Sequence, residues 1–138
     1  MTLAELASSL PNGFHDAELS RVEVDFAQAS ATLHMSIDME ADLNRPHDIS
    51  KYRSVVIRLE GIRMLIMRGH DETFNALSEP LDVCGSGPTM LDDSLFKSFP
   101  ESARAGLYCF YVDNWNSCIY VAAAAARLAW APGPIGTY

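Results

Sequence analysis

A chain of 138 residues with 49% hydrophobic and 20% charged residues has the composition of one globular domain and not that of a disordered chain. Its formal charge of −8 sets the surface against phosphate backbones and in favour of basic protein partners. The start Met1-Thr2-Leu3-Ala4-Glu5 is no secretion signal, no apolar run reaches the ~18 residues of a membrane helix, and Cys84, Cys109 and Cys118 match no zinc spacing, so a reduced, cytoplasmic protein without nucleic-acid or membrane partners is expected.

Thr2 and Glu5 have capping-box spacing, and Leu3, Leu6 and Leu10 follow at helical intervals. This predicts a short helix ended by Pro11, with Asn12-Gly13 as a turn in which positive φ costs little. Next, Val22, Val24 and Phe26 alternate with Arg21, Glu23 and Asp25. After Ala27-Gln28-Ala29-Ser30, Leu33, Met35, Ile37 and Met39 alternate with Thr32, His34, Ser36 and Asp38. The pattern predicts a half-buried antiparallel hairpin with the apolar set inward. A turn at 27–30 would put Val24 opposite Leu33, Val22 opposite Met35 and, on the wet face, Glu23 opposite His34.

Residues 40–51 read as a polar loop broken by Pro46. A third strand is expected from Tyr52 to Leu59, with Gly61 as a bulge or bend before Ile62 to Met67. Arg53, Arg58, Arg63 and Arg68, with Glu60, read as a solvated face. Residues 68–80 read as an exposed excursion. Leu81 to Cys84 is a short strand stopped by Gly85-Ser86-Gly87-Pro88, and Thr89 caps a second short helix carrying Leu91, Leu95 and Phe99 up to Pro100. The last quarter predicts a hairpin. Leu107 to Val112 is one strand, Asp113-Asn114-Trp115-Asn116 the connection, and Ser117 to Trp130 the return, where pairing overrides the weak helix preference of five alanines. Residues 132–138, rich in Pro and Gly, are expected to be a flexible tail. The fold predicted is α+β and β-rich. It is a single domain over 1–131, with one strongly curved antiparallel sheet, or a small sandwich, of five to eight strands and two short helices.

The run Asn12-Gly13-Phe14-His15-Asp16-Ala17-Glu18 places an apolar anchor, an imidazole and two carboxylates at a strand entry. A turn motif with Phe14 buried and His15 and Asp16 hydrogen-bonded to backbone accounts for it, and so does a binding or catalytic role for His15 with Asp16 or Glu18. The dipeptides His15-Asp16, His47-Asp48 and His70-Asp71 sit in turn-like contexts, where neighbours seldom share one metal. Glu23, His34 and Asp38 share an outward face, which could bind a divalent metal if it were concave, although exposed hairpin faces look like this by default. Cys109 and Cys118 read as buried thiols, since only a two-residue loop would set them directly opposite. Trp115 either folds back onto the sheet or stands out as an interface anchor. Gly85-Ser86-Gly87 lacks the spacing of a nucleophile elbow, and no phosphate-loop, zinc-protease or dinucleotide-binding motif occurs.

The segment Asn12 to Leu19 followed by an alternating hairpin, together with Tyr111-Val112-Asp113-Asn114-Trp115-Asn116, resembles a group of small bacterial proteins that open with a Phe-His-Asp-Ala motif. Some of them are grouped with the immunity proteins that neutralise polymorphic toxins. The resemblance covers about fourteen residues at the two ends of the chain and implies a β-rich intracellular protein with no catalytic residues to carry over. With the acidic charge, it predicts a non-catalytic binding protein, an immunity-type partner that covers a basic toxin domain with an acidic surface. The expected binding residues are His15, Asp16, Glu18, Asp113, Trp115 and Asn116, with no metal and no cofactor. The alternatives are a small enzyme or ligand-binding domain using His15 with Asp16 or Glu18 in a pocket of the sheet, and a homodimeric subunit pairing through sheet faces or edges.

Overall fold

In the computed structural model, residues 1–44, 51–67, 80–88, 96 and 99–131 are described. Helix α1 (Leu3–Ser9) is followed by strands β1 (Ala17–Asp25), β2 (Ser30–Asp38), β3 (Tyr52–Met67) and β4 (Leu81–Gly87). A second short helix, α2 (Glu101–Arg104), precedes β5 (Leu107–Val112) and β6 (Ser117–Trp130). All pairings are antiparallel, in the order β1-β2-β3-β6-β5-β4, and the pairing of β1 with β4 closes the sheet into a six-stranded barrel. Closure pairs every strand on both sides, which removes the free edges an open sheet would expose. A β-rich antiparallel sheet with two short helices is what the sequence predicts, but closure is more specific than a curved sheet or sandwich.

The capping box at α1 forms as its spacing predicts. Thr2 Oγ1 accepts from Glu5 N at 3.2 Å, and Thr2 N donates to Glu5 Oε2 at 2.7 Å. These bonds favour the carboxylate and hold Glu5 below its ordinary pKa. Leu3, Leu6 and Leu10 join the strand residues in the main core.

The first hairpin forms, but its register differs by two. Val22 faces Leu33, Glu23 faces Thr32 and Asp25 faces Ser30, so the turn uses residues 26–29. A shift of two keeps each residue on its face, and Leu33, Met35 and Ile37 are buried. A bulge at Ser20 then brings Leu19, not Val22, opposite Met35. Val22 still packs against the core, whereas Val24 and Phe26 do not point into it: they are 37% and 91% exposed. Phe26 lies in the turn, beyond the paired residues, and Val24 stands next to the turn, opposite the small Ala31. Glu23 reaches His34 diagonally, its Oε2 lying 2.9 Å from Nε2. Asp38, expected in water, is buried because the loop after β2 folds over it. Its Oδ1 accepts from Glu40 N at 2.8 Å and its Oδ2 lies 3.5 Å from Lys51 Nζ.

Gly61 is the bend its position predicts. Its φ is +62°, and a Cβ there would lie 2.8 Å from the Ala124 Cβ, with the β3–β6 register shifting just beyond, between Ile62 and Met64. The run Ala122 to Ala126 is strand. β4 runs on to Gly87 instead of stopping at Cys84, because Gly85, Ser86 and Gly87 pair with Tyr111, Phe110 and Cys109. The second helix expected from Thr89, with Leu91 and Leu95, lies almost wholly outside the described residues, as do residues 68–79 of the excursion, residues 45–50 of the polar loop and the tail at 132–138. Of that helix's expected inward face, Phe99 is 37% exposed, and it is Phe96 that is fully buried.

The barrel interior is filled. Leu19, Leu33, Met35, Leu59, Phe110 and Val121 are among the side chains that line a remaining space of about 10 Å³, about enough for one water and no ligand. A smaller cluster of Met64, Phe96, Leu107, Cys109, Tyr120 and Ala122 lies on the other face of β3, β5 and β6. Burial on both faces explains why the last hairpin reads as nearly continuous apolar sequence.

Candidate functional site

The Phe-His-Asp segment is built as a turn around one buried ring. Phe14 is 1% exposed and meets the Tyr108 and Phe110 rings edge to face, with centroids 6.1 and 5.2 Å away. His15 N donates to Asn12 O at 3.0 Å, and Ala17 N donates to Phe14 O at 3.2 Å. Asp16 adopts φ +58°, a conformation that aspartate tolerates better than most residues. With Phe14 turned in, His15 and Asp16 are turned out. Their side chains are 57% and 51% exposed, and His15 Nδ1 lies 3.0 Å from Asp16 Oδ2. The imidazole is thus held by the neighbouring carboxylate.

The other end of the resemblance is a single 3-10 turn over Asp113–Trp115, closed by Asn116 at φ +48°. Tyr111 Oη donates to Asn116 Oδ1 at 2.5 Å, and Asn116 N donates to Asp113 O at 3.0 Å. Trp115 folds back: it is half-buried and packs against the main core. Asp113 stays exposed.

These two turns are neighbours in space although about 100 residues apart in the chain. Ala17 pairs with Val83, and Val83 pairs with Val112, so a single strand, β4, separates the residue after Asp16 from the residue before Asp113. Cys84 sits between the two. Burial raises its thiol pKa, and the Asp113 and Asp16 carboxylates add to the rise. Next to it, Glu18 stands directly opposite Asp82, an arrangement of like charges that costs stability.

The acidic surface continues around His15. Asn12, His15, Asp16, Asp38, Glu40 and Ala41 line an open hollow of about 360 Å³. Lys51, just before β3, lies 3.5 Å from both Asp38 and Glu40, and the Asp38 charge is the main cause of its raised pKa. Tyr52 is raised by burial, with Glu18, Asp38 and Asp16 contributing. Glu40 and Asp82 do not stand out in the sequence. Alternation in Leu81-Asp82-Val83 marks Asp82 as outward, but nothing in the sequence marks what it faces.

Among the described residues, no three of His, Cys, Asp and Glu are placed to hold a metal ion. The outward trio is split, since His34 bonds Glu23 while Asp38 faces Lys51. The pairs His47-Asp48 and His70-Asp71 lie outside the described residues. Cys109 pairs with Tyr120 and Tyr111 with Cys118, so the four-residue connection sets the two cysteines diagonally, and both are free; Cys109 is buried as expected, but Cys118 is only half-buried. Burial, with the adjacent Cys118 thiol, pushes Cys109 up to about 12. The arginines of β3 are engaged: Arg58 and Arg127 flank Glu60, Arg63 donates to Ala105 O at 2.6 Å, and Arg53 lies 4.2 Å from the Trp130 ring centroid. Arg68 lies outside the described residues. Comparison with protein-family models, curated proteins and solved structures returns no match, so the chemistry of this surface is the guide to function.

Proposed function

We propose that this is a non-catalytic binding protein whose acidic face, centred on β4 and the start of β1, receives a basic protein partner in the way an immunity protein covers a toxin domain. The observation that carries the reading is the convergence of Asp16, Glu18, Asp82 and Asp113 around three paired strands, on a barrel whose interior is already filled. Glu18 opposite Asp82 is unfavourable in the free protein, and a lysine or arginine presented between them would relieve that cost. Negative potential over the same face speeds encounter with a basic protein and weakens as salt rises.

The reading is tested by affinity capture in the native host over a salt series. A basic protein retained at about 50 mM salt and released at about 500 mM supports it, and a toxin gene beside the coding sequence strengthens it. If no protein is retained at low salt, the reading fails. A second reading, catalysis by His15, draws on its 3.0 Å contact with Asp16 at the edge of the hollow. A folded His15→Ala variant that keeps every measurable activity of the wild type ends that alternative.

A further inference from the structure

Two apolar features lie away from the acidic face: one protrudes and the other is hollow. The first is the β1–β2 tip, where Phe26 is 91% exposed. It is held out rather than free to fold back. Asp25 Oδ1 accepts from Gln28 N at 3.0 Å, and Ala29 O accepts from Ile62 N at 2.9 Å, which ties the turn to β3. Ala29 has φ +47°, a left-handed conformation that is strained for a non-glycine residue. Such strain persists only where the surroundings over-determine the backbone. Phe26 is therefore a pre-set finger, with Val24, 37% exposed, at its base.

The second feature is a groove between α1 and the end of β6. Leu6, Leu10, Leu128 and Trp130 line it, with Met1, Ser9 and Arg127 as its exposed members, and this open hollow holds about 430 Å³. That is room for one aromatic ring with part of its turn. Arg53, stacked over Trp130, and Arg127, 3.3 Å from Glu60, put positive charge beside the groove, while Asp25 and Glu23, the latter bonded to Arg21 and His34, flank the finger. In one molecule β2 and β3 stand between the finger's strand and β6, so the finger meets a groove only on another molecule.

We infer that Phe26 of one copy seats in the α1–β6 groove of a second copy, with Asp25 and Glu23 turned toward Arg127 and Arg53. This contact uses no residue of the acidic face and stands independently of the proposed function. One anchored ring buries far less than the ~1,200 Å² of a stable interface, so the expected Kd is on the order of 100 µM. Because each copy carries −8, salt screens their repulsion and the association holds or tightens as salt rises. Binding of a basic partner to the acidic face has the opposite salt dependence, so failure of one reading is distinguishable from failure of the other.

The test is a dilution series of the uniformly ¹⁵N-labelled full chain by heteronuclear NMR, from about 20 µM to about 1 mM so as to bracket the expected Kd, with sedimentation equilibrium on the same samples. Concentration-dependent shifts at residues 25–29 and at Leu6, Leu10, Leu128 and Trp130 together are expected. Phe26→Ser and Ser9→Glu should each weaken association at least about tenfold, as loss of a single anchor does. Unlabelled Ser9→Glu, whose finger is intact, should restore the groove shifts in labelled Phe26→Ser, and unlabelled Phe26→Ser should not. Absence of any concentration dependence, shifts at other sites, shifts that persist in Phe26→Ser, or failure of the mixed pair to restore the groove shifts each overturns the inference.

Discussion

Replacing Phe14 by alanine separates the structural half of the Phe-His-Asp segment from its exposed half. The ring is 1% exposed and packs edge to face against two others. Truncating a buried phenylalanine costs about 3–5 kcal/mol, and the cavity it would leave between the Tyr108 and Phe110 rings places this site near the upper end. For a domain of this size about 4 kcal/mol corresponds to a fall in Tm of about 10–20 °C. Urea and thermal unfolding followed by circular dichroism measure both quantities. His15→Ala, at a side chain 57% exposed, should change stability by less than about 0.5 kcal/mol in the same assays. A Phe14→Ala variant within about 1 kcal/mol of wild type, or a His15→Ala variant as unstable as Phe14→Ala, would refute the division of the segment into anchor and exposed head.

Two further outcomes follow from the same packing. Gly61→Ala should cost about 2 kcal/mol, since a Cβ at φ +62° would lie 2.8 Å from the Ala124 Cβ. Adding Ala124→Gly should recover the steric share but not the backbone share, so a double-mutant cycle by urea unfolding should show favourable coupling. For Cys109, the thiol is pushed up to about 12 from an ordinary value of 9.0. An acid whose folded pKa is raised contributes stability that is complete below the unfolded pKa and is lost as pH rises through the folded one. Stability should therefore decline between about pH 9 and about pH 12, and a Cys109→Ala variant should show a shallower decline in urea titrations. At neutral pH, thiol labelling of Cys109 should proceed at the rate of unfolding, behind Cys118.

How much of this was legible in the sequence varies with the range of the interaction. β5 and β6 match their predicted bounds, Leu107–Val112 and Ser117–Trp130, because a short turn and dense β-branched and aromatic residues specify a hairpin locally. Gly61 and the Thr2–Glu5 capping box are likewise local. The first hairpin was legible in its faces but not in its register. Alternation has a period of two, so a displacement of two is invisible to it, and Val24 and Phe26 look like core until the turn is located. Asp38 alternates outward and is buried by a loop that alternation does not describe. The extension of β4 through Gly85-Ser86-Gly87 is imposed by β5, against the local preference of glycine. Barrel closure and the meeting of Asp16 with Asp113 both depend on β4 lying between β1 and β5, a long-range pairing that no local pattern carries. Local patterns therefore mark the candidate residues near the two ends of the chain but not their adjacency.

The most direct test of the central claim is comparative capture by the wild type and a Glu18→Lys/Asp82→Lys double variant, each shown by circular dichroism to be folded. The wild type should retain a basic host protein at low salt and release it at high salt, and the double variant should retain none of it. Equal retention of that protein by both forms, or retention indifferent to salt, would contradict the account.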